Sequence, residues 1–426
     1  MKKPSQFVVP KSRSVQAGLF AAVVAATALT ASCSSGPDQR ASALVIVERP
    51  STVKHWGSFF GGTKGVNYDL GTSPAALTVP GTVAEIGTSN STEYALLTNG
   101  TVYAWGLGTL GELGNGQRDN SFTKAVRVRF PRGVKIAFIP PDVMPYDSAL
   151  AVDTKGHVWA WGANGKGEFC LGNSRSYDSP VRLPFSHVTA VAGASNHALF
   201  DAGGTVYACG QNIAGDLGDG SRAWTRTPVR VAGLGGAPVR ELVASFANSG
   251  ALLANGDYFD WGYNAAGQVG NGHVGRSYDV PVQVKLPLPV KQVAQGGSIW
   301  DNGQTLVMLA DGSLWGWGSD WAGQLGDGVR TAQPSPARFS PPPGVTYRFL
   351  ATGSATSYAV STTGDVYAWG AGTLGQVGDG STYVALTPVM VASGAALISA
   401  TANNVLISVP RRARHHHARG AKGRSS

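Results

Sequence analysis

Three short patterns carry the most chemistry in this 426-residue chain: Arg175-Ser-Tyr177, Arg222-Ala-Trp224 and Arg276-Ser-Tyr278. Each closes a glycine-rich stretch. A guanidinium presents planar donors, and a rigid ring buries area at little entropic cost. Arg beside Tyr or Trp is therefore the composition of a protein-binding hot spot. The same arginines would serve equally well as braces for their own loops. Trp300 and Trp321 join the set, with Phe122 and Tyr146 as weaker members, and Trp224, Trp300 and Trp321 are the strongest candidates for partner contact. Asp260 stands where a small residue recurs elsewhere, so it either acts as an acid or base with a raised pKa or accepts hydrogen bonds in a structural role. The structural role is the simpler expectation for it and for His197. The Asp-Gly pairs at 219, 327 and 379 lack the alternating acids and distal Glu of a calcium loop and read as turns. No Gly-x-Ser-x-Gly, His-Glu-x-x-His or Walker pattern is present, so no catalytic residue, metal ligand or cofactor is assigned.

The elements that would position these residues are repeated. Trp-Gly recurs at 56, 105, 161, 261, 317 and 369, and Cys209-Gly210 fills the vacant place in the series. A period near fifty residues marks an array of supersecondary units. Tyr94 to Thr98, then Asn99-Gly100, then Thr101 to Trp105 reads as two strands joined by a type I′ turn. Equivalent glycines stand at 156, 204, 256, 312 and 364. In the strand before each Trp-Gly, Val102 and Ala104 alternate with Tyr103 and Trp105. Both faces are apolar and both should be buried. A Gly-rich loop follows, as in residues 210–220 and 318–328, then a strand of the type Pro228-Val-Arg-Val231 and a further strand Val239 to Val243. About four strands per unit is the make-up of a propeller blade. The expected fold is all-β, a seven-bladed propeller whose ring is closed by the amino- and carboxy-terminal strands together. With strands alternating in direction, the Gly-rich loops share one face with the long stretches Ile139–Ser148 and Gly296–Gln304, and the tight turns occupy the other.

The run of Gly turn, Val-Tyr-Ala-Trp-Gly, Gly-x-Leu-Gly-x-Gly and Pro-x-x-Val resembles the regulator of chromosome condensation repeat over nearly all of residues 45–410. The unit around Trp56 departs from it, with Lys54 and His55 at otherwise apolar sites. The resemblance implies the seven-bladed propeller and leaves the partner open, because such propellers serve many.

The ends are different in character. Residues 1–32 place Lys2 to Arg13 before an Ala/Val/Leu-rich stretch and read as an export signal of lipoprotein type, with Cys33 the candidate for lipidation. Ordinary signal cleavage and a retained helical anchor are the other readings. Residues 33–43 read as a flexible tether, 44–410 as the propeller and 411–426 as a basic disordered tail containing three consecutive histidines. Cys170 and Cys209 lie in consecutive units and form either a disulfide or two separate buried thiols. The net charge of +9 is a property of the ends: ten of the 34 Lys and Arg lie in residues 1–32 and 411–426, leaving 24 against 25 acids between them. Bulk charge thus gives no argument for nucleic acid. The expectation is an exported, lipid-anchored or secreted monomer that binds an extracytoplasmic protein, or an envelope polymer, through its loop face. An enzyme acting on such a polymer is the alternative from the residues. A secreted enzyme inhibitor and a guanine-nucleotide exchange factor are alternatives by family resemblance, the latter at odds with an export signal.

Overall fold

Strands that are apolar on both faces are buried only when their sheets stack face to face. In the computed structural model, which describes residues 50–61, 66–140, 147–297 and 303–410, that stacking is a ring. Among the described residues, twenty-eight strands, numbered β1 to β28 along the chain, form seven four-stranded antiparallel sheets. Blade one combines β1 (Ser51–Gly61) and β2 (Val66–Val79) with β27 (Leu397–Thr401) and β28 (Asn404–Val409), in the order β2-β1-β28-β27. The two ends of the described chain thus close the ring together, with β1 paired to β28 and β2 at the edge. The other six blades are consecutive: β3–β6 (83–127), β7–β10 (136–182), β11–β14 (188–230), β15–β18 (239–283), β19–β22 (290–339) and β23–β26 (347–392). The export signal, the tether, Cys33, the tail, Tyr146 and Trp300 fall outside the described residues.

The hairpin turns differ from the type I′ expectation. At Asn99-Gly100 the Gly100 amide donates to the Leu97 carbonyl (2.9 Å), while the Leu97 amide donates to the Thr101 carbonyl (2.8 Å). Gly100 has φ +82°, and Asn99 does not share a positive φ. This is a type I turn closed by a glycine bulge, which asks for one left-handed residue instead of two. The same pair of bonds recurs at Gly156, Gly256, Gly312 and Gly364. The reason is steric: Lys155 and Thr363 precede two of these glycines, and positive φ is unfavourable for any side chain beyond glycine and most of all for a β-branched one such as Thr363. Among the described glycine turns that precede the Trp-Gly or Cys-Gly strands, Gly203-Gly204, with φ +62° and +81°, is the one that makes the two-residue turn.

Blades are locked to each other by the recurrent Trp. The Trp261 indole donates to the Asp216 carbonyl in the Gly-rich loop of the preceding blade (2.9 Å). Trp161, Trp317, Trp369 and Trp56 do the same to the carbonyls of Glu112, Gln268, Gln324 and Gln376. The loop glycine makes room: a Cβ on Gly218 would lie 2.7 Å from Trp261 Nε1.

Two interfaces depart from this lock. Between blades three and four, Cys170 takes the place of the loop glycine and keeps its left-handed backbone (φ +58°). Cys209 takes the place of the Trp, and the two are joined in a disulfide with Cα atoms 5.5 Å apart. A covalent bond thus stands where the Trp–Gly contact stands elsewhere. Between blades one and two, the Trp105 indole donates instead to Glu93 Oε2 (2.5 Å), which also holds His55 Nδ1 (2.8 Å). Burial pulls the His55 pKa down, but the charge and hydrogen bond of Glu93 outweigh it and hold it above its ordinary value. These are the departures at Cys209 and His55 that the repeat pattern shows in sequence.

Candidate partner-binding face

In blades three to six the loop between third and fourth strands carries a fixed internal scaffold. In blade four, Asn212 Oδ1 accepts the Leu217 amide (2.9 Å), and its Nδ2 donates to the carbonyls of Ser221 (3.0 Å) and Ala223 (3.3 Å). Asn164, Asn264 and Asp320 hold the corresponding amides of Phe169, Val269 and Leu325. The Asp-Gly aspartates fold the tips: Asp219, Asp327 and Asp379 each accept the amide two residues on. This is turn chemistry. The loops are therefore preorganised, and what they display is fixed in place.

They display apolar side chains. Trp224 is 54% exposed, Trp321 52% and Tyr383 79%, joined by the exposed Ile213, Val274 and Val329. All six lie in the Gly-rich loops of blades four to seven, which are consecutive around the ring. The Lys166 ammonium lies 5.8 Å from the Trp224 ring centre and reaches it from the loop of blade three.

The Arg-x-aromatic patterns divide. Arg175, Arg222 and Arg276 are exposed. Tyr177 and Tyr278 are half-buried at the starts of β10 (Tyr177–Arg182) and β18 (Tyr278–Gln283). The Tyr177 hydroxyl exchanges hydrogen bonds with the Asn173 side chain, and Arg276 stacks over Tyr278 at 5.7 Å. These two tyrosines brace their loops, and Trp224 is the aromatic of the three that faces solvent. Phe122 also turns inward, stacking on Tyr68 with ring centres 3.6 Å apart. Ile213, Val274, Val329 and Tyr383 were not singled out from the sequence. Ile213 and Trp321 occupy the same place in their loops, three residues after the Gly that ends the third strand, and that alignment is the available signal.

The remaining candidates are interior. Asp260 is fully buried between blades five and six. Its Oδ2 accepts from the Gln295 side chain (2.9 Å) and the Tyr258 hydroxyl (3.3 Å). Burial drives its pKa well above the usual carboxylate range. Its partners are side chains of the blade interface, beside Gly250, where a Cβ would lie 2.2 Å from the Tyr258 hydroxyl. His197 is fully buried, bonded through Nε2 to Ser249 Oγ (2.7 Å), and desolvation lowers its pKa to about 3, so it is neutral. A further buried set comes from the x of Gly-x-Leu-Gly. Glu112, Glu168 and Asp216 hold that place in three blades, and Gln268, Gln324 and Gln376 in three others. Burial raises the three acids to about 7.

Comparison with known proteins agrees with the ring. The regulator of chromosome condensation (RCC1) repeat is matched at residues 99–139, 155–200 and 255–299. The chain is 29% identical over 283 residues to the ultraviolet-B receptor UVR8 of Arabidopsis thaliana, covering 66% of this chain and 62% of the receptor. It is 29% identical over 296 residues to the human E3 ubiquitin-protein ligase HERC2, covering 66% of this chain but 6% of the ligase. Among solved structures, human WBSCR16 superposes with a TM-score of 0.71 at 18% identity, covering 84% of this chain and 98% of that one. Prp20p of Saccharomyces cerevisiae gives 0.70 at 19%, covering 85% and 92%. With the strand order, the Trp lock and the matched repeats in agreement, the chain carries regulator of chromosome condensation repeats at the matched residues and is built as a seven-bladed propeller.

Proposed function

We propose that this propeller is an interaction scaffold that holds a protein partner on its Gly-rich-loop face outside the cytoplasm, tethered by a lipid on Cys33. The carrying observation is the run of exposed apolar side chains, Trp224, Trp321 and Tyr383 with Ile213, Val274 and Val329, on rigid loops of four consecutive blades. Solvated loops have no folding reason to expose large rings in series, and such rings on a preorganised surface supply contact area cheaply. Binding proteins is also what is described for a similar propeller, Prp20p, whose binding to Gsp1p and histones and complex with Kap60 have been studied. The Cys170–Cys209 disulfide suits an oxidising compartment, as does the basic and then apolar sequence before Cys33. Asp260, the acid–base candidate of the enzymatic reading, is buried among its partners and does not reach the surface.

The test is a pull-down from the extracytoplasmic fraction of the source cells. The bait is the chain from residue 33 with Cys33→Ser, beside a Trp224→Ala/Trp321→Ala/Tyr383→Ala control. A protein retained by the first bait and lost by the control establishes the face. Identical retention by both removes it. Fractionation of the full chain, with palmitate labelling of Cys33 against Cys33→Ser, tests the anchor separately.

A further inference from the structure

The opposite side of blades two and three holds a concentration of cations that the partner-binding face does not explain. A groove of about 290 Å³ is lined by Arg132, Lys135, Lys155, His157 and Arg182, with Asp153 as its one acid. It runs into a second groove that shares Arg132 and Lys135 and adds Arg127 and Arg129. Four parts of the chain bring them together. Arg127 ends β6 (Ser121–Arg127), Arg132 and Lys135 lie in the link to the next blade, and Arg182 ends the edge strand β10. Lys155 sits on the tight turn of blade three, and the Thr154 amide donates to the Lys135 carbonyl (3.0 Å), so the two lysines are neighbours.

Asp153 does not neutralise the groove. Its Oδ1 accepts the amides of Lys155 (2.8 Å) and His157 (3.0 Å), and its Oδ2 accepts Trp159 Nε1 (3.0 Å) and His157 Nδ1 (3.1 Å). These contacts hold its pKa below the usual carboxylate range and spend its oxygens on the fold. The six Lys and Arg are exposed, and among the described residues none is within ion-pair distance of a carboxylate.

The ring supplies its own control. The equivalent groove between blades four and five carries one cation, Arg230, and that between blades five and six one, Lys285. Lys155 replaces the Asn, Gly, Asp or Thr that other blades place before the turn glycine. Propeller geometry therefore builds the same groove at these other interfaces, and of the three it is this one that gathers cations. In a body of 24 basic against 25 acidic residues, that is local enrichment and not background. Four of the six cations are arginines, whose forks match tetrahedral oxyanions in pairs.

We propose that this groove binds a flexible polyanion whose charges are closely spaced phosphate or sulfate groups. The interaction is independent of the partner face. The test uses the full chain and a variant carrying Arg132→Gln, Lys135→Gln, Lys155→Gln and Arg182→Gln. All four sites are exposed, and the tail cations are common to both proteins. Titration with long-chain inorganic polyphosphate, a single-stranded oligonucleotide, heparin and poly-glutamate gives binding of one or more of the first three. The quadruple variant then binds at least about tenfold more weakly, with a shallower salt dependence. Polyphosphate or oligonucleotide ahead of heparin names phosphate as the source, and the reverse names sulfate. The Trp224→Ala/Trp321→Ala/Tyr383→Ala protein retains the binding. Equal affinity of wild type and quadruple variant overturns the proposal, as does poly-glutamate binding as tightly as the other polymers. An unchanged urea midpoint in the variant establishes that its loss is not unfolding.

Discussion

The buried acid at the x of Gly-x-Leu-Gly is the residue whose chemistry is most at odds with its place. In blade three, Glu168 Oε2 accepts the Lys166 amide (2.9 Å), as Gln324 Oε1 accepts that of Ala322 (3.0 Å). The fold asks only for the acceptor, and the chain meets that need with a neutral amide in three of its blades. Burial raises Glu168 from 4.5 to about 7, so the unfolded chain ionises it first as pH rises. Stability is full below about 4.5 and falls progressively up to about pH 7. Glu112, Asp216, Glu241 and Asp320, each raised to about 7, act in the same direction. His197 opposes them, because its neutral form is favoured above 6.5 and its contribution is lost as pH falls toward 3. Five carboxyls outweigh one imidazole, so stability is greater near pH 5 than at pH 8. Glu168→Gln raises stability at pH 8 by on the order of 1–2 kcal/mol and changes it little at pH 5. Urea midpoints at the two pH values check this, and a gain of equal size at both would contradict the ionisation argument.

At the scale of the element, each blade is held to its neighbour by one recurring lock and two substitutes. The Cys170–Cys209 bond spans 39 residues and crosses an interface that lacks its Trp. Reduction therefore removes the covalent tie between blades three and four, where Cys209 is fully buried. A loss of about 2–4 kcal/mol is expected in reductant. Cys209→Ala shows the same loss without reductant and no further loss with it, read from urea unfolding of both proteins in both buffers. An unmoved wild-type midpoint in reductant would show that packing alone carries this interface. The repeat was legible because Trp-Gly, Leu-Gly and the turn glycine are each demanded by a steric contact, such as Gly218 against Trp261. Trp224 and Trp321 were legible for the complementary reason, since no internal contact asks for them. The turn type was misread at Asn99-Gly100 because the pair also suits a bulged turn, and Lys155 and Thr363 in the equivalent places held the correction. Tyr383 was passed over because a loop tyrosine looks the same in sequence whether it is exposed, as here, or folded inward like Tyr177. The cationic groove was invisible for a different reason: its members come from a strand end, a link, a turn and another strand end, and no linear pattern joins them.

For the whole ring, one seam differs in kind from the rest. Neighbouring blades follow one another along the chain, and within six of the blades the strands are consecutive too. In blade one, β1 and β28 meet without a short connection, pairing from Thr52 with Val409 to Gly57 with Asn404. Everything between residues 58 and 403 is a loop that this pairing closes. Loop-closure entropy rises only logarithmically with length, so the seam carries the largest such cost in the molecule, yet one not far above that of a shorter loop. The amino-terminal strand takes the interior place and β2 the edge, so β28 presents no open hydrogen-bonding edge to a second chain. A cross-link at the seam should then stabilise more than one placed anywhere within a single blade. Thr52 and Val409 face each other in register and are both half-buried, so Thr52→Cys/Val409→Cys empties no core position. Chain entropy sets an upper bound of about 5–6 kcal/mol for that bond. The expected result is a higher urea midpoint for the oxidised variant than for wild type, both retaining Cys170–Cys209, with bond formation verified by peptide mapping. A midpoint equal to that of wild type would mean that the blades separate first at another interface and that the seam is not where the ring opens.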